Sequence, residues 1–342
     1  MLEQEIRKDL QGWQKIVVKY SKPDHYKASL QVINTFGPFI AIWVLMYFSL
    51  DWSIWITIAL AIVNGFFLAR LFIIQHDCGH QSFFKRKKWN DLLGFTCSLF
   101  TSLPYRYWSR VHSYHHGHQG QLEHRNVGDI NFLTVEEYRN SSRWKRFAYR
   151  IFRHPVFMFL ITPVLYITIS NRFPFFHFKG WGKIRQSQVI NNAVLVGLYL
   201  GLGYLLGWKE FFFIQLSIIF VFAVVAFWFF YVQHQHEETY MRWKGQWDHL
   251  AASIKGSSYY KLPKVFQWLT GNIGYHHIHH LNSKIPNYNL QQCARENPIL
   301  QKHVPTLSFT DSLKCIYNHL YDEERHRMIS FREYDSMERR AV

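Results

Sequence analysis

The sequence predicts an all-α membrane protein with two transmembrane helical hairpins, interfacial helices and a cytoplasmic helical cap that carries a histidine-rich metal site. Four apolar runs, at about residues 30–50, 53–74, 189–207 and 211–232, approach the roughly 20 residues that a helix needs to cross a bilayer. Basic residues flank these runs, and histidines are concentrated in three short clusters. The spans set the fold class, the charges set the orientation, and the histidines indicate the chemistry.

The chain is expected to form a single domain over residues 1–342. Its parts in order are an N-terminal cytoplasmic or interfacial helix (1–29), a first hairpin (30–74), a segment with two histidine clusters and interfacial helices (75–188), a second hairpin (189–232) and a segment with the third cluster (233–342). In the first part, Ile6, Leu10, Trp13 and Val17 recur at helical spacing. This helix is expected either to lie on the membrane surface or to pack against the cytoplasmic cap.

The distribution of basic residues predicts the orientation. A basic run at 85–88 follows the first hairpin, whereas the turn at 50–53 carries no Lys or Arg. Both termini and all three histidine clusters are therefore expected in the cytoplasm of a multi-pass cell-membrane protein. The shorter apolar stretches, 92–103 and 156–171, have basic residues on both sides and are not expected to cross. No signal peptide is visible, and the four cysteines form no CxxC pair, as in a reducing compartment.

The chain is strongly basic, with 39 Lys plus Arg against 23 Asp plus Glu and a formal net charge of +16. In a soluble protein this balance suggests nucleic-acid binding. Here the basic residues lie beside apolar spans, where attraction to anionic lipid headgroups explains them better. Docking of an acidic electron carrier is a second interpretation. No nucleic-acid-binding module is recognisable, so nucleic acid is not an expected partner.

The three histidine clusters follow the patterns HxxxH and, twice, HxxHH. Their ligand candidates are His76 and His80, then His112, His115 and His116, then His276, His279 and His280. With 20 histidines in 342 residues, composition alone gives about 0.07 matches to HxxHH. On a helix, residues three and four apart share a face, while adjacent residues point about 100° apart. Each HxxHH cluster can therefore serve two nearby metals, and the pattern favours a two-metal centre.

The metal is expected to be iron. Imidazole nitrogens suit zinc, copper, iron and nickel alike. Structural zinc usually takes cysteines at tight spacing, the protease motif HExxH is absent, and eight histidines are too many for one zinc. A site at the end of membrane helices suggests a lipid substrate, and oxidation of an unactivated hydrocarbon needs a redox metal and dioxygen. Because the Glu-x-x-His pattern of soluble di-iron bundles is missing, the predicted di-iron site is histidine-dominated.

The same motifs resemble those of a known family. HDCGHQSFF at 76–84, HSYHH at 112–116 and GNIGYHHIHHLNSKIPNY at 271–288 resemble the three histidine boxes of membrane fatty acid desaturases. The resemblance extends through GDINFLTVEEY at 128–138, FYVQH at 230–234 and GSSYYKLPKVFQWLTGNIGYHH at 256–277, and covers about residues 30–335. It is greatest toward acyl-lipid desaturases of Bacillus-like bacteria, which introduce cis double bonds into phospholipid acyl chains. Some of these act at the Δ5 position.

The resemblance implies a ninth ligand at the end of the fourth span, which matches His234 and is preferred over His236. Phe230 stands where some related animal enzymes have a water-bridging Asn. We expect His277 to be a surface or ligand-orienting residue, and His118 and His124 to be bystanders. Metal-bound histidines usually donate their second N–H to a carboxylate or carbonyl. The candidates for that role, chosen because they lie close to the boxes in sequence, are Asp77, Asp129, Glu237 and Asn272.

The predicted activity is O2-dependent desaturation of an acyl chain, with no catalytic residue beyond the metal centre and no substrate-binding residue assigned. The haem-binding motif HPGG is absent, since His154-Pro155 is followed by Val-Phe, so the electron donor is expected to be a separate ferredoxin or flavodoxin. A hydroxylase with the same boxes is the alternative. A metal transporter is a third possibility, disfavoured because the long runs hold no Asp, Glu or His, while Arg70 is near enough to a helix end to snorkel.

Overall fold

The computed structural model describes residues 2–176 and 178–341, and most of them are helical. The α-helices in chain order are α1 (Leu2–Asp9), α2 (Trp13–Val17), α3 (His25–Ser49), α4 (Ile54–Gly79), α5 (Lys87–Thr101), α6 (Tyr105–His118), α7 (Val135–Arg139), α8 (Arg143–Phe152), α9 (Thr162–Thr168), α10 (Gly182–Leu206), α11 (Trp208–His234), α12 (His249–Lys255), α13 (Lys264–Leu269), α14 (His276–Leu281), α15 (Asn287–Glu296), α16 (Phe309–Lys314) and α17 (Phe331–Ala341). The short strands are β1 (Leu133–Thr134), β2 (Tyr259–Tyr260), β3 (Thr306–Leu307), β4 (Leu320–Asp322) and β5 (Arg327–Ile329).

Four helices, α3, α4, α10 and α11, are long and apolar enough to cross a membrane. Short turns join α3 to α4 and α10 to α11, so the four helices form two hairpins. α4 packs against α3, α5 and α11 and lies at the centre of the group. The predicted fold class, an all-α membrane protein with two helical hairpins, is confirmed.

The two shorter apolar stretches behave differently from each other. α5, which contains the stretch 92–103, has 15 residues and is shorter than the roughly 20 needed to cross a bilayer. The stretch 156–171 belongs to a bent pair, in which α8 and Phe157–Arg172 meet at 60°, and this pair counts as a fifth span if it is taken as one. A π-helical segment, Phe157–Ile161, lies just after the bend.

The first hairpin begins with a capped helix and closes with a polar contact. The Asp24 side chain accepts hydrogen bonds from the backbone N–H groups of Tyr26 and Lys27, which satisfies orphan donors at the start of α3. Between the helices, the hydroxyls of Ser49 and Thr57 are 2.7 Å apart and buried. The backbone donors at the start of α3 and the two hydroxyls at the turn between α3 and α4 therefore all have hydrogen-bond partners.

The helices continue past the apolar runs from which they were predicted. α4 reaches Gly79 rather than residue 74, so His76 lies on its last turns and His80 directly follows it. Gln75, the first polar residue after the apolar run, does not end the helix; it is buried and donates to the Leu103 carbonyl at 2.9 Å. The first histidine box is thus held rigidly by a membrane helix.

The expectation that Arg70 snorkels to a helix end is wrong. Arg70 is 5% exposed and donates to the Thr35 hydroxyl at 3.1 Å and to the backbone carbonyl of Trp268. Its guanidinium also lies 4.0 Å from the centroid of the Trp268 ring. The side chain therefore ties α3 and α4 to α13, and its hydrogen bonds and ring contact compensate for burial.

The N-terminal segment packs against the part of the chain that carries the third box. Ile6, Leu10 and Val17 are buried in one hydrophobic cluster with Ile278 and Leu281. Of the two alternatives from the sequence, packing against the cap is therefore the one observed.

Two small sheets join distant parts of the chain. β1 pairs in parallel with β4, which pairs antiparallel with β5, while β2 pairs in parallel with β3. The first sheet connects the C-terminal segment to the residues that follow the second histidine box. Asp129 precedes β1 by a few residues, so the pairing of β1 with β4 holds the segment that contains Asp129 against the C-terminal part of the chain.

Candidate metal centre

Nine histidines from four helices and the residue after α4 converge on one buried site. Two groups of ligand atoms, each mutually within 4.8 Å, are formed by His76, His80, His112, His116 and His279, and by His115, His234 and His280. His276 joins both groups by contact, because its Nε2 lies 2.9 Å from that of His234 and its ring centroid lies 4.6 Å from that of His280 and 5.5 Å from that of His279. The structure thus brings together the eight box histidines and His234.

The spacing of the ring nitrogens fits metal binding. The Nε2 atom of His116 lies 3.1 Å from that of His112 and 3.0 Å from that of His279. The Nε2 atoms of His280 and His276 are 3.1 Å apart. Two imidazoles that bind the same ion at about 2.1 Å, with an N–metal–N angle between about 90° and 109°, place their nitrogens roughly 2.9–3.4 Å apart. The observed distances fall within this range, so the donor set suits shared ions.

Burial favours the protonation state that metal binding requires. Burial first, and then neighbouring imidazoles, hold the pKa of the box histidines outside the spans well below the ordinary value of 6.5; these are His112, His116, His276, His279 and His280. Neutral imidazole is the form that coordinates metals. The Nε2 atoms of His80 and His115 are buried without a hydrogen-bond partner, as expected of groups whose partner is an ion.

Two carboxylates and one carbonyl lie beside the Nδ1 atoms of three clustered histidines. Asp77 Oδ1 accepts from His76 Nδ1 at 2.9 Å, and Asp129 Oδ1 lies 2.6 Å from His115 Nδ1 in a close contact whose angle does not satisfy a hydrogen bond. The Gly256 carbonyl lies 3.1 Å from His234 Nδ1. Such contacts leave Nε2 free for the metal. Asp77 and Asp129 therefore lie next to box histidines, and their orienting role stays a prediction.

Asn287 is a supporting residue that the sequence analysis missed. Its backbone N–H and side-chain Nδ2 donate to Asp77 Oδ2 at 2.6 and 2.8 Å, and its Oδ1 accepts from Gln31 Nε2 at 3.0 Å. Asn287 thereby holds the carboxylate that holds His76. Its position inside the long motif at 271–288 was the available signal.

Glu237 does not orient a ligand, which corrects the sequence-based expectation. Its side chain is 65% exposed and pairs with Arg327 at 3.2 Å. The reason is local, because α11 ends at His234 and Gln235 leaves helical geometry, with φ −116° and ψ 40°. Asn272 also lacks a contact with a clustered ring; it has φ 58° and its Nδ2 lies 3.5 Å from the Asn287 carbonyl.

The remaining histidines near the boxes lie outside both ligand groups. His236 is buried, with its Nε2 unpartnered. His277 is 0% exposed and neither ring nitrogen has a partner, so the expectation of a surface position is wrong. His118 and His124 form a separate cluster with Tyr114, whose hydroxyl lies 2.8 Å from His124 Nδ1.

An apolar cavity of about 360 Å³ adjoins the histidines. Its walls come from the spans and from the segments that pack on them, including Ala69, Phe72 and Ile73 of α4, Phe222, Ala223 and Ala226 of α11, and Pro163 and Ile167 of α9. His76, His112 and His276 line one part of it. Phe230, at the position of the expected Asn, also lines it and lies 5.0 Å from His234 and 5.2 Å from His115 between ring centroids. The volume suits a small ligand, and the lining suits a hydrocarbon.

Comparison with known proteins agrees with this geometry. The family model described as fatty acid desaturase matches residues 53–310. A fatty acid desaturase of Bacillus subtilis (strain 168) is 41% identical over 333 residues, covering 97% of this chain and 94% of the relative. An sn-1 oleoyl-lipid 12-desaturase of Picosynechococcus sp. is 27% identical over 80% of this chain and 78% of its own. An sn-1 acyl-lipid omega-3 desaturase (ferredoxin) of Nostoc sp. (strain 36) is 30% identical over 67% of this chain and 64% of its own. The histidine boxes, the membrane hairpins and this similarity over nearly the whole length agree, and the chain belongs to the fatty acid desaturase family.

Proposed function

We propose that this protein is an acyl-lipid desaturase that uses dioxygen to introduce a cis double bond into a phospholipid acyl chain. The observation that carries the proposal is the apolar cavity between the membrane helices, one part of which is lined by His76, His112 and His276. A lipid chain can enter such a cavity from the bilayer and place a methylene group beside the histidine cluster. The nine clustered histidines would hold two irons, with Asp77 and Asp129 orienting their rings.

The reaction balances as –CH2–CH2– + O2 + 2 e⁻ + 2 H⁺ → –CH=CH– + 2 H2O. Bound iron would supply the dioxygen chemistry, with two of the four electrons coming from the two C–H bonds and two from an external donor. The chain's own residues position the substrate and keep water away. Phe72 and Trp108 pack at 4.9 Å between ring centroids, and both line the cavity beside His76. These rings exclude water where the acyl chain meets the metal ligands.

The relatives support the substrate class and the donor. Two of the similar proteins are named as acting on acyl chains of lipids, and one name specifies ferredoxin. We infer a membrane phospholipid as substrate, and a separate ferredoxin or flavodoxin as electron donor. From the basic residues beside the spans, we also infer that the protein lies in the cell membrane with both termini and the metal centre in the cytoplasm.

Expression in a bacterial host without its own desaturase tests the proposal. Gas chromatography with mass spectrometry of the lipid fatty acids should show a new cis-monoene and give the double-bond position. Hydroxy fatty acids would instead establish the alternative activity, a hydroxylase, because the same site can transfer oxygen after the first hydrogen is removed. An unchanged fatty-acid profile with iron-loaded protein and co-expressed ferredoxin would contradict the proposal.

Single alanine variants test the assignment of the ligands. Replacement of any of the eight box histidines should abolish product formation and lower the iron bound per chain. Full activity in two or more of these variants would contradict a di-iron centre.

A further inference from the structure

One clustered histidine reaches the protein surface. Eight of the nine clustered histidines are buried, whereas His116 is partly exposed. Its Nε2 lies within 3.1 Å of the Nε2 atoms of both His112 and His279, so it is at once a member of the cluster and a part of the surface. Among the clustered histidines, His116 is therefore the most accessible to solvent.

The face of α6 beside His116 is open and carries no large apolar side chain. Arg106, Arg110, Ser113 and Gly117 follow one another at intervals of four, three and four residues, so they share one helix face, and all are exposed. A Cβ atom added at Gly117 would meet nothing within 4 Å. A protein partner can therefore approach His116 closely here.

Positive charges surround this opening. Lys284 is exposed and donates to the His80 carbonyl at 2.6 Å, and the His80 ring lies 4.7 Å from the His116 ring between centroids. Within residues 2–176 and 178–341, neither Arg110 nor Lys284 forms an ion pair, while Arg106 lies 3.6 Å from Asp91, a carboxylate it shares with Lys87. The charge left without a counterion is thus positive.

The composition of this surface differs from that of a membrane-binding helix. On α8, the exposed Trp144, Phe147 and Ile151 are interleaved with basic residues, as in helices that lie in a lipid interface. The exposed face of α6 has the cations without such apolar side chains. A charged, flat surface without apolar anchors suits a transient contact with an oppositely charged protein.

We propose that this surface, formed by Arg106, Arg110, Ser113, His116, Gly117 and Lys284 and called the His116 surface below, docks an acidic one-electron carrier of the ferredoxin type. The inference rests on the proposed function, because that reaction needs two electrons per turnover from outside. In each turnover two reduced carriers would dock in succession and supply one electron each, and the bound irons would receive these electrons at the ligands next to His116. The positive charges steer the carrier, and the small residues let its redox centre come near.

Binding and turnover of two variants test this role. In Arg110→Glu, the Kd for an acidic bacterial ferredoxin should rise about fivefold at low salt, with a weaker salt dependence. In Gly117→Tyr, the new Cβ meets nothing within 4 Å, and the bulky ring is added to the surface next to His116, so ferredoxin-supported product formation should fall. Product formation driven by dithionite, which is small and needs no docking surface, should stay at the wild-type level in both variants. Binding is measured on purified protein in neutral detergent, where it does not depend on activity.

Lys15→Glu is the matched control, since Lys15 is exposed and the change in charge is the same. Equal Kd values for Arg110→Glu and Lys15→Glu would overturn the proposal. If Arg110→Glu lost binding to vesicles with anionic lipid while its ferredoxin binding stayed unchanged, the docking proposal would be overturned in favour of a membrane contact. If the wild type binds ferredoxin through this surface but forms no product with either reductant, the proposed desaturation fails while the docking role stands.

Discussion

Replacing Asp77 by Asn should weaken iron binding without changing the shape of the site. The Asp77 carboxylate is 1% exposed and accepts three hydrogen bonds, one from His76 Nδ1 and two from Asn287. An Asn side chain has the same size but places an NH2 group against at least one of these donors. If this NH2 group faces His76, the imidazole must move its proton from Nδ1 to Nε2, and Nε2 is the nitrogen that the metal requires.

The magnitude follows from the bonds that change. One charge-assisted bond is lost and the other two become neutral, which together amount to about 2.5–7 kcal/mol of stability, at about 1.5–3 kcal/mol for a bond to a charged group and about 1 for a neutral one. The affinity for iron should fall about 10- to 100-fold, as is typical when the partner of a ligating histidine is changed.

Two measurements check this prediction. Iron per chain is determined by mass spectrometry across a series of chelator concentrations, and the unfolding midpoint of the metal-free protein is determined in detergent. Asp51→Asn, in the exposed turn between α3 and α4, is the control for the change of charge. Wild-type iron affinity in Asp77→Asn would refute the role of this carboxylate.

Three further predictions concern the ligand set, the cavity and the dependence of stability on pH. His234→Ala should lose iron and activity, whereas His236→Ala should keep most of both; equal loss in the two variants, measured as iron per chain, would contradict the choice of His234. Ala226→Leu should fill part of the cavity, so the turnover of long acyl chains should fall several-fold with iron content unchanged, as product chromatography can show. Burial first, and then two nearby arginines, lower the pKa of His319 to about 3 from 6.5, so the folded state loses stability as the pH falls from 6.5 toward 3. His319→Gln should flatten this fall in the unfolding midpoint, and an identical pH profile in the variant would show that His319 does not contribute.

The sequence predicted what depends on local spacing. Within a box the histidines can point toward one site because they lie three and four residues apart, and the spans are visible because their apolar runs approach the length needed to cross a bilayer. The partners of these residues depend on contacts between distant segments. Asp77 and Asn287 are 210 residues apart in the chain, so no local pattern connects them.

Proximity in sequence was a poor guide where a helix ends. Glu237 is three residues from His234 but lies beyond the end of α11, where the backbone turns the side chain toward Arg327. Arg70 was expected to reach water because it lies near the end of its apolar run, yet it donates to acceptors from α3 and α13. In both cases the outcome depended on tertiary contacts that composition does not encode.

The order of the boxes along the chain has a consequence for how the protein is made. His280 follows His116 by 164 residues, which at bacterial elongation rates means about 10–30 s of synthesis between the second box and the end of the third. During that interval, the first hairpin and two boxes exist without the imidazoles that complete the two ligand groups. The full set of ligands exists only after the second hairpin and the third box have been made, so we expect stable loading with the proposed irons to follow synthesis of that part of the chain. A ribosome stalled between the boxes would leave a membrane-bound fragment with histidines but no complete centre.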